Sequence, residues 1–291
     1  MISVVIPLYN KRNCIASTID SVLSQTYSDF ELIVVDDGST DGSADVVRSI
    51  ADERVRLIQK TNGGVSSARN VGVVAAKSEH IAFLDADDIW APNYLAEIAK
   101  LIHDFPEAGI YGSSYTVQEH GELIPHCSTL SEDFYGIVDM SEWRFGHLYW
   151  TSIVCCKKAA LEEAGMFDER MAYGEDTDVW WRIMLKHPAA YSNKELATYR
   201  YDAENRAMVK KKPLEKLYIN YFEKYSEYRK SNDAFRHFID KECMWWLFQY
   251  ALEDKHNPDV QRILSQIDLS EYKYSFRFRF KYPRLYKLLR K

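Results

Sequence analysis

Short apolar runs alternate with amphipathic segments through the first hundred residues, and this alternation restricts the fold more than any other feature of the sequence. Uninterrupted apolar runs are typical of strands buried on both faces of a parallel sheet. Between the runs, apolar residues recur at helical spacing, as at Ile15, Ile19 and Val22. The order is βαβαβαβ, which predicts a doubly wound α/β sheet. The apolar runs lie at 4–6, 32–35, 55–58 and 81–84.

The pattern changes beyond this first part of the chain. Strand patterns mix with one helical pattern up to residue 201, and after it only helical patterns remain. We therefore predict an α/β domain at 1–205, followed by a smaller helical C-terminal region at 206–291. The later strands are predicted at 109–114, 152–156 and 196–200, and the later helices at 176–186, 213–230 and 233–252.

Composition and charge exclude several classes of protein. Hydrophobic residues make up 46% and charged residues 27% of the 291 positions, which is ordinary globular usage. A net charge of -6 argues against a general nucleic-acid-binding protein. The five cysteines lack the spacing of a zinc site or a disulfide framework, which fits a reducing cytosol. Met1 leads directly into a strand-like run, and no apolar run approaches the about 20 residues of a membrane span, so we expect a cytoplasmic protein without a cleaved signal.

Carboxylates follow the second predicted strand, in the turn from Asp36 and Asp37 to Gly42. In open parallel sheets, ligands bind beyond the carboxyl ends of the strands. Glycines let the backbone of such a turn approach a ligand, and carboxylates accept hydrogen bonds from a base or a ribose. A strand-to-helix turn with a capping Asp or Ser would have the same composition, so both interpretations stay open.

A denser acidic cluster, Asp85, Asp87 and Asp88 with Ala86 between them, follows the fourth predicted strand. Carboxylates this close repel one another unless a cation lies between them. Oxygen ligands suit Mg²⁺ or Mn²⁺, which take one or two carboxylates and complete their coordination with substrate phosphates. We favour a divalent metal over the alternative, an acidic cap for the next helix.

Two helix starts carry further polar groups. The turn Asn62-Gly63-Gly64 opens a helix that contains Arg69, which could pair with a phosphate or serve as a structural ion-pair partner. The segment Glu175-Asp176 opens a helix that also carries Arg182. The helix dipole favours acids at this position, but a carboxylate here could also remove a proton from an acceptor hydroxyl.

The C-terminal segment 272–291 combines cations with aromatic residues and contains no acid. Such segments suit anionic membrane surfaces, where each cation contributes about 1 kcal/mol. We expect peripheral attachment to the inner face of the cytoplasmic membrane. The alternatives are a helix or strand packed on the folded protein and nucleic-acid binding. The cations are Lys273, Arg277, Arg279, Lys281, Arg284, Lys287, Arg290 and Lys291.

Taken together, the segments between residues 2 and 200 resemble the family 2 glycosyltransferases, which are inverting enzymes with a GT-A fold. The order and spacing of the matching segments are specific, although each alone is weak. These segments are 4–10, 21–27, 36–39, 62–64, 68–70, 85–88, 165–169 and 175–176.

The resemblance implies roles for individual residues. Tyr9 would stack on a uracil and Asp37 would accept a hydrogen bond from its ring. Asp87 would be the metal ligand, with Asp88 in a supporting position. Asp176 would be the catalytic base, supported by Glu175 and Arg182. The nucleotide-binding residues would be Pro7, Tyr9, Asn10, Asp36, Asp37, Asn62, Arg69, Asp85 and Ala86.

The implied activity is transfer of a hexose or N-acetylhexosamine from a UDP-sugar to a glycan or lipid-linked acceptor in cell-surface polysaccharide synthesis. A sugar nucleotidyltransferase is one alternative, but it should have a glycine-rich loop after the first strand, where this chain has Leu8-Tyr9-Asn10-Lys11-Arg12. The other alternative is a catalytically silent scaffold that binds nucleotide sugars. The presence of Asp87 and Asp176 argues against it.

Overall fold

The structure is a computed structural model that describes residues 1–126, 128, 130–141, 143–144, 146–202 and 213–289. Contacts divide the chain into two compact units. One comprises Met1–Met140 and Phe145–Lys210, and the other Ser141–Arg144 and Lys211–Lys291. The boundary predicted near residue 205 falls within 203–212, outside the described residues, and stays a prediction.

The first unit contains one large sheet with helices between its strands. The described residues form the strands β1 Ile2–Leu8, β2 Phe30–Asp36, β3 Val55–Gln59, β4 His80–Phe83, β5 Ile89–Trp90, β6 Ile110–Glu119, β7 Glu122–Pro125, β8 Tyr135–Ile137, β9 Val154–Lys157 and β10 Ala189–Arg200. They form the helices α1 Ile15–Leu23, α2 Ser43–Arg48, α3 Val65–Ala75, α4 Tyr94–Asp104, α5 Lys158–Ala164 and α6 Glu175–Met184.

The sheet is mixed, with the order β3-β2-β1-β4-β9-β6-β10-β5. The strands β3, β2, β1 and β4 are parallel neighbours. Because β9 is antiparallel to both β4 and β6, and β10 is parallel to β6, the strands β6 and β10 run in the direction of β4. The carboxyl ends of β1, β2, β4, β6 and β10 therefore face one edge of the sheet.

The predicted α/β sheet is confirmed, and the four early strands lie where the apolar runs placed them. All seven residues of β1 are buried, as expected for a strand inside a parallel sheet. The strands predicted at 109–114 and 196–200 are longer in the structure, as β6 and β10. The strand predicted from residue 152 begins at Val154, because Thr151–Ile153 forms a turn of 3-10 helix.

The second unit is helical, as predicted for 213–230 and 233–252. It contains α7 Ser226–Ser231, α8 Asp233–Glu253, α9 Pro258–Leu264, α10 Tyr274–Lys281 and α11 Pro283–Leu289 among the described residues. Two stretches of 3-10 helix, Leu214–Lys216 and Tyr218–Tyr225, precede α7. None of the described helices is long and apolar enough to cross a membrane.

The basic and aromatic segment packs partly against its own unit. The Arg279 guanidinium lies 3.9 Å from the ring centroid of Phe248 on α8, and Phe280 is only 8% exposed. The Tyr272 hydroxyl donates a 2.9 Å hydrogen bond to the buried Asp240. One face of this segment is thus anchored, while Lys273, Lys281, Arg284 and Lys287 are exposed. Arg290 and Lys291 lie outside the described residues.

Candidate active site

The predicted site residues follow strands whose carboxyl ends share one edge of the sheet. Asp36 is the last residue of β2, and the cluster that begins at Asp85 follows β4. Glu175 and Asp176 are the first two residues of α6. The alternative that the 85–88 cluster caps α4 is wrong, because α4 begins at Tyr94 and the acid in its first turn is Glu97.

Asp37 organises the glycine turn that precedes α3. Its Oδ1 accepts hydrogen bonds from the Gly63 backbone N–H at 2.9 Å and from Lys60 Nζ at 2.6 Å, and its Oδ2 accepts one from the Gly64 N–H at 2.8 Å. Gly64 has a φ of +90°, a conformation that favours glycine. Asp37 is 2% exposed, so its carboxylate fixes the turn from inside the protein.

The neighbouring Asp36 holds its own turn, since its two oxygens accept hydrogen bonds from the Ser39 N–H and from Gln59 Nε2, both at 3.0 Å. Asn10, which follows β1, forms hydrogen bonds with the same turn. Its N–H donates to Ser39 Oγ at 3.0 Å, and its side-chain oxygen accepts from the Thr40 N–H at 2.9 Å. These contacts fit the structural interpretation of the turn and leave its nucleotide-binding role a prediction.

Beside this braced turn, an aromatic ring is presented to solvent. Tyr9 is 48% exposed, whereas Pro7, two residues earlier in β1, is buried. Asn62 is exposed at the glycine turn. The arrangement leaves a polar edge with one free-standing ring, which a planar base could stack on.

Arg69 joins the two acidic segments through a pair of ion pairs. One guanidinium nitrogen donates to Asp85 and another to Glu175, each at 2.8 Å, and the Arg69 side chain is only 3% exposed. Burial disfavours the charge of Arg69, but the carboxylates of Asp85 and Glu175 outweigh it and raise its pKa. The ion-pair role considered for Arg69 is therefore present in the structure, and a contact with phosphate stays a prediction.

Several carboxylates lie close together around this one cation. Burial raises the pKa of Asp85, and the carboxylates of Asp87 and Asp176 raise it further against the opposing effect of Arg69. Burial likewise raises the pKa of Glu175, with Asp176 adding to it. An additional positive charge beside these carboxylates would oppose the effects that raise their pKa values.

Asp87 and Asp88 differ in what they contact. Lys11 Nζ donates to one oxygen of Asp87, while the described residues offer no hydrogen bond to the other oxygen. Asp88 is buried, and it accepts from Ser152 Oγ at 2.6 Å and from the Arg200 N–H at 3.2 Å. Burial, together with Asp87 and Asp85, raises the pKa of Asp88 well above its usual range. Asp88 therefore braces the loop, whereas Asp87 has an oxygen for a ligand.

Sequence reasoning missed two cations at this cluster. Lys11 pairs with Asp87, and the Arg200 guanidinium donates to the backbone oxygen of Asp87 and to Ser17 Oγ, the latter at 3.1 Å. Each cation stands at the carboxyl end of a strand or just beyond it, Lys11 after β1 and Arg200 at the end of β10. That position at the ligand-binding edge was the available signal.

Asp176 is held in place by hydrogen bonds from two threonines. Its Oδ2 accepts from Thr151 Oγ1 at 2.8 Å, and its Oδ1 accepts from the Thr177 N–H at 2.7 Å. Arg182, further along α6, donates to Asp178 at 2.6 Å and to the carbonyl oxygen of Met166 at 2.8 Å. Arg182 thus braces α6 against the turn after α5.

The described residues contain no group of three or more His, Cys, Asp or Glu side chains arranged to hold a metal ion. Two neighbouring carboxylates, Asp85 and Asp87, are nevertheless present. Mg²⁺ is usually bound by one or two carboxylates together with substrate phosphates, so this pair fits a metal that arrives with its nucleotide.

A mixed sheet with carboxylates and cations gathered at the carboxyl ends of its strands defines an α/β fold of the kind that binds ligands at that edge. Residues 3–164 match the sequence profile described as Glycosyl transferase family 2. The chain belongs to this family, and the resemblance noted from the sequence is confirmed.

Several relatives match about 70% of the chain. An uncharacterized glycosyltransferase of Nostoc sp. is 38% identical over 215 residues, which are 71% of this chain and 63% of that protein. One from Rickettsia bellii is 31% identical over 209 residues, 70% of this chain and 29% of that protein. Glycosyltransferase GlyA of Streptococcus pneumoniae is 29% identical over 211 residues. The chain thus spans less than two thirds of the length of these relatives.

Solved structures share the fold. TarS 1-349 of S. aureus in complex with UDP-GlcNAc has a TM-score of 0.64 at 21% identity, covering 72% of this chain and 61% of that one. Its complex with UDP has a TM-score of 0.61 at 22% identity, covering 68% and 60%. The likeness confirms the expected GT-A fold.

Proposed function

We propose that this protein is an inverting hexosyltransferase that moves a hexose or N-acetylhexosamine from a UDP-sugar to a hydroxyl of a glycan or lipid-linked acceptor in cell-surface polysaccharide synthesis. The observation that carries the proposal is the Arg69 bridge, which links Asp85 to Glu175, the neighbour of Asp176. The bridge brings the predicted donor side and the predicted base into one site. The UDP and UDP-GlcNAc complexes of TarS support a uridine donor.

In this reaction Asp176 acts as the general base. The acceptor hydroxyl gives its proton to Asp176, and its oxygen attacks the anomeric carbon in line with the departing UDP. The bond from that carbon to UDP breaks as the new glycosidic bond forms, so an α-linked donor gives a β-linked product. Thr151 and the Thr177 N–H each occupy one oxygen of Asp176 and fix the direction of the remaining lone pairs.

The donor is bound by the edge that follows β1, β2 and β4. Tyr9 stacks on the base, and the turn braced by Asp37 and Asn10 surrounds it. Asp85 lies toward the ribose and the diphosphate. The complete proposed set is Pro7, Tyr9, Asn10, Asp36, Asp37, Asn62, Arg69, Asp85 and Ala86.

Asp87, with Asp85 beside it, would hold a Mg²⁺ or Mn²⁺ ion. When bound, such an ion neutralises negative charge that develops on the nucleoside diphosphate. Lys11 already contacts Asp87, so the chain itself keeps a cation at this carboxylate. Asp88 holds the loop that carries Asp87, while Glu175 and Arg182 support the start of α6.

We expect Mn²⁺ to strengthen binding of UDP at least about tenfold, and Asp87→Ala to remove this enhancement, because the variant lacks the main proposed metal ligand. Calorimetric titration of UDP into the protein, with and without Mn²⁺, measures the effect. Asp20→Ala, at an exposed carboxylate of α1, is the control and should bind like the unchanged protein. A metal effect of equal size in Asp87→Ala would rule out this ligand.

We also propose that the segment 272–291 attaches the protein to an anionic membrane surface on the cytoplasmic side, close to a lipid-linked acceptor. Changing Lys273, Lys281, Arg284 and Lys287 together to Ala should weaken binding to anionic vesicles by about a thousandfold, since each cation contributes about 1 kcal/mol. Sedimentation with phosphatidylserine vesicles measures this effect.

The control for this measurement removes the same charge elsewhere. It changes Lys77, Lys230, Lys241 and Lys255, which are exposed lysines outside the segment, to Ala. The anchored residues Tyr272 and Phe280 stay unchanged in both variants, so that the fold of the second unit is preserved. Equal vesicle binding by the two variants would exclude the segment as the attachment site.

A further inference from the structure

Four aromatic side chains form a connected cluster in the first unit, which we call the aromatic platform: Tyr115, His126, Trp150 and Tyr199. The Tyr115 and His126 rings stack at 4.3 Å with an interplanar angle of 13°. The ring centroid of Trp150 lies 4.9 Å from that of Tyr115 and 4.9 Å from that of Tyr199. All four rings are partly exposed.

The platform lies at the ligand-binding edge of the sheet. Tyr199 is next to the last residue of β10, whose carboxyl end faces the same edge as that of β4. The following residue, Arg200, donates a hydrogen bond to the backbone oxygen of Asp87. The end of β10, which carries Tyr199, is therefore adjacent to the acidic cluster.

A second residue of the platform, Trp150, is a sequence neighbour of a residue that contacts Asp176. Trp150 directly precedes Thr151, whose hydroxyl donates to the Asp176 carboxylate at 2.8 Å. Burial raises the pKa of Tyr173, and the nearby Asp176 carboxylate raises it further. Trp150 is thus the direct neighbour in sequence of the residue that holds the carboxylate proposed to activate the acceptor.

The chemistry of these rings suits a sugar. Burial lowers the pKa of His126 and raises that of Tyr115 to about 12, so both rings are neutral at physiological pH. A neutral aromatic face carries negative partial charge, which attracts the C–H groups on the face of a pyranose. The phenol and imidazole groups at the ring edges can exchange hydrogen bonds with sugar hydroxyls, whereas an acyl chain would leave them unsatisfied.

We propose that the aromatic platform is a subsite for a pyranose ring of the acceptor, so that the hydroxyl presented to Asp176 belongs to a saccharide. This inference rests on the proposed function, because it takes the Asp176 side of the site as the acceptor side. It narrows the acceptor to a glycan or to the sugar portion of a lipid-linked one.

The test uses saturation-transfer NMR with three saccharide probes, methyl β-glucopyranoside, methyl β-galactopyranoside and N,N′-diacetylchitobiose, and with hexanoate as an acyl probe. At least one saccharide should bind the unchanged protein. Trp150→Leu and Tyr199→Leu, which keep apolar bulk but remove an aromatic face, should each weaken that binding about tenfold. Trp245→Ala, at a 58% exposed tryptophan of α8, is the matched control and should bind as before.

Calorimetric binding of UDP is measured on every variant and separates the two proposals. If the unchanged protein does not bind UDP, the proposal of a uridine donor is refuted. Saccharide binding that depends on Trp150 would still establish the platform in that case. The platform is refuted if no saccharide binds, if hexanoate alone binds, or if both leucine variants bind saccharide normally. Circular dichroism verifies that each variant is folded. If only one leucine variant folds, its saccharide binding alone decides the test.

Discussion

Asp176→Asn should lower glycosyl transfer about 100-fold to 10,000-fold, the range that a positioned general base contributes. The amide keeps the size of the side chain and can still accept from Thr151, but it cannot take the proton of the acceptor hydroxyl. Binding of UDP should stay within about twofold, because the change leaves Arg69 and Asp85 in place. The measurement compares release of UDP from whichever UDP-sugar the unchanged protein uses, together with calorimetric binding of UDP.

The same variant separates the enzyme from its alternatives. Asp45→Asn, at an exposed carboxylate of α2, is the control and should transfer at the normal rate. Turnover by Asp176→Asn at the rate of the unchanged protein would show that the base lies elsewhere. If the unchanged protein binds UDP but no UDP-sugar is ever consumed, the silent scaffold becomes the better account.

The sequence predicted the early sheet well because its signal is local. A run such as 32–35 has no alternating polar residues, so it identifies a strand buried on both faces, and the order of strands and helices then places Asp36 and Asp85 at one edge. Short strands lack this signal. The two residues of β5 and the three of β8 pair with β10, far away in sequence, and have no length over which a period could be read.

The contacts inside the site depend on tertiary structure and were harder to predict from the sequence. Arg69 and Glu175 are 106 positions apart, and only the folded chain brings these side chains of α3 and α6 into contact. Sequence reasoning left Arg69 open between a phosphate ligand and a structural ion-pair partner. The Lys11 contact with Asp87 likewise joins two loops, so spacing along the chain gave no sign of it.

Replacing Arg69 should cause the largest loss of stability. Arg69→Ala removes the buried cation between Asp85 and Glu175 and leaves both carboxylates without it, which should lower the free energy of unfolding by about 3 to 5 kcal/mol. Urea unfolding at neutral pH measures the loss. Arg48→Ala is the control, because Arg48 pairs with Asp45 at the surface, where an ion pair contributes about 0 to 1 kcal/mol.

The pH dependence of this loss tests its cause. The pKa values of Asp85 and Glu175 are raised in the folded protein, and without Arg69 they should rise further. Carboxyl groups with raised pKa values bind protons more readily when folded than when unfolded, so their cost to stability falls as the pH falls toward the folded pKa. The deficit of Arg69→Ala should therefore shrink between about pH 7 and pH 5. A deficit that is constant over this range would mean that lost packing of the Arg69 side chain, and not unpaired charge, destabilises the variant.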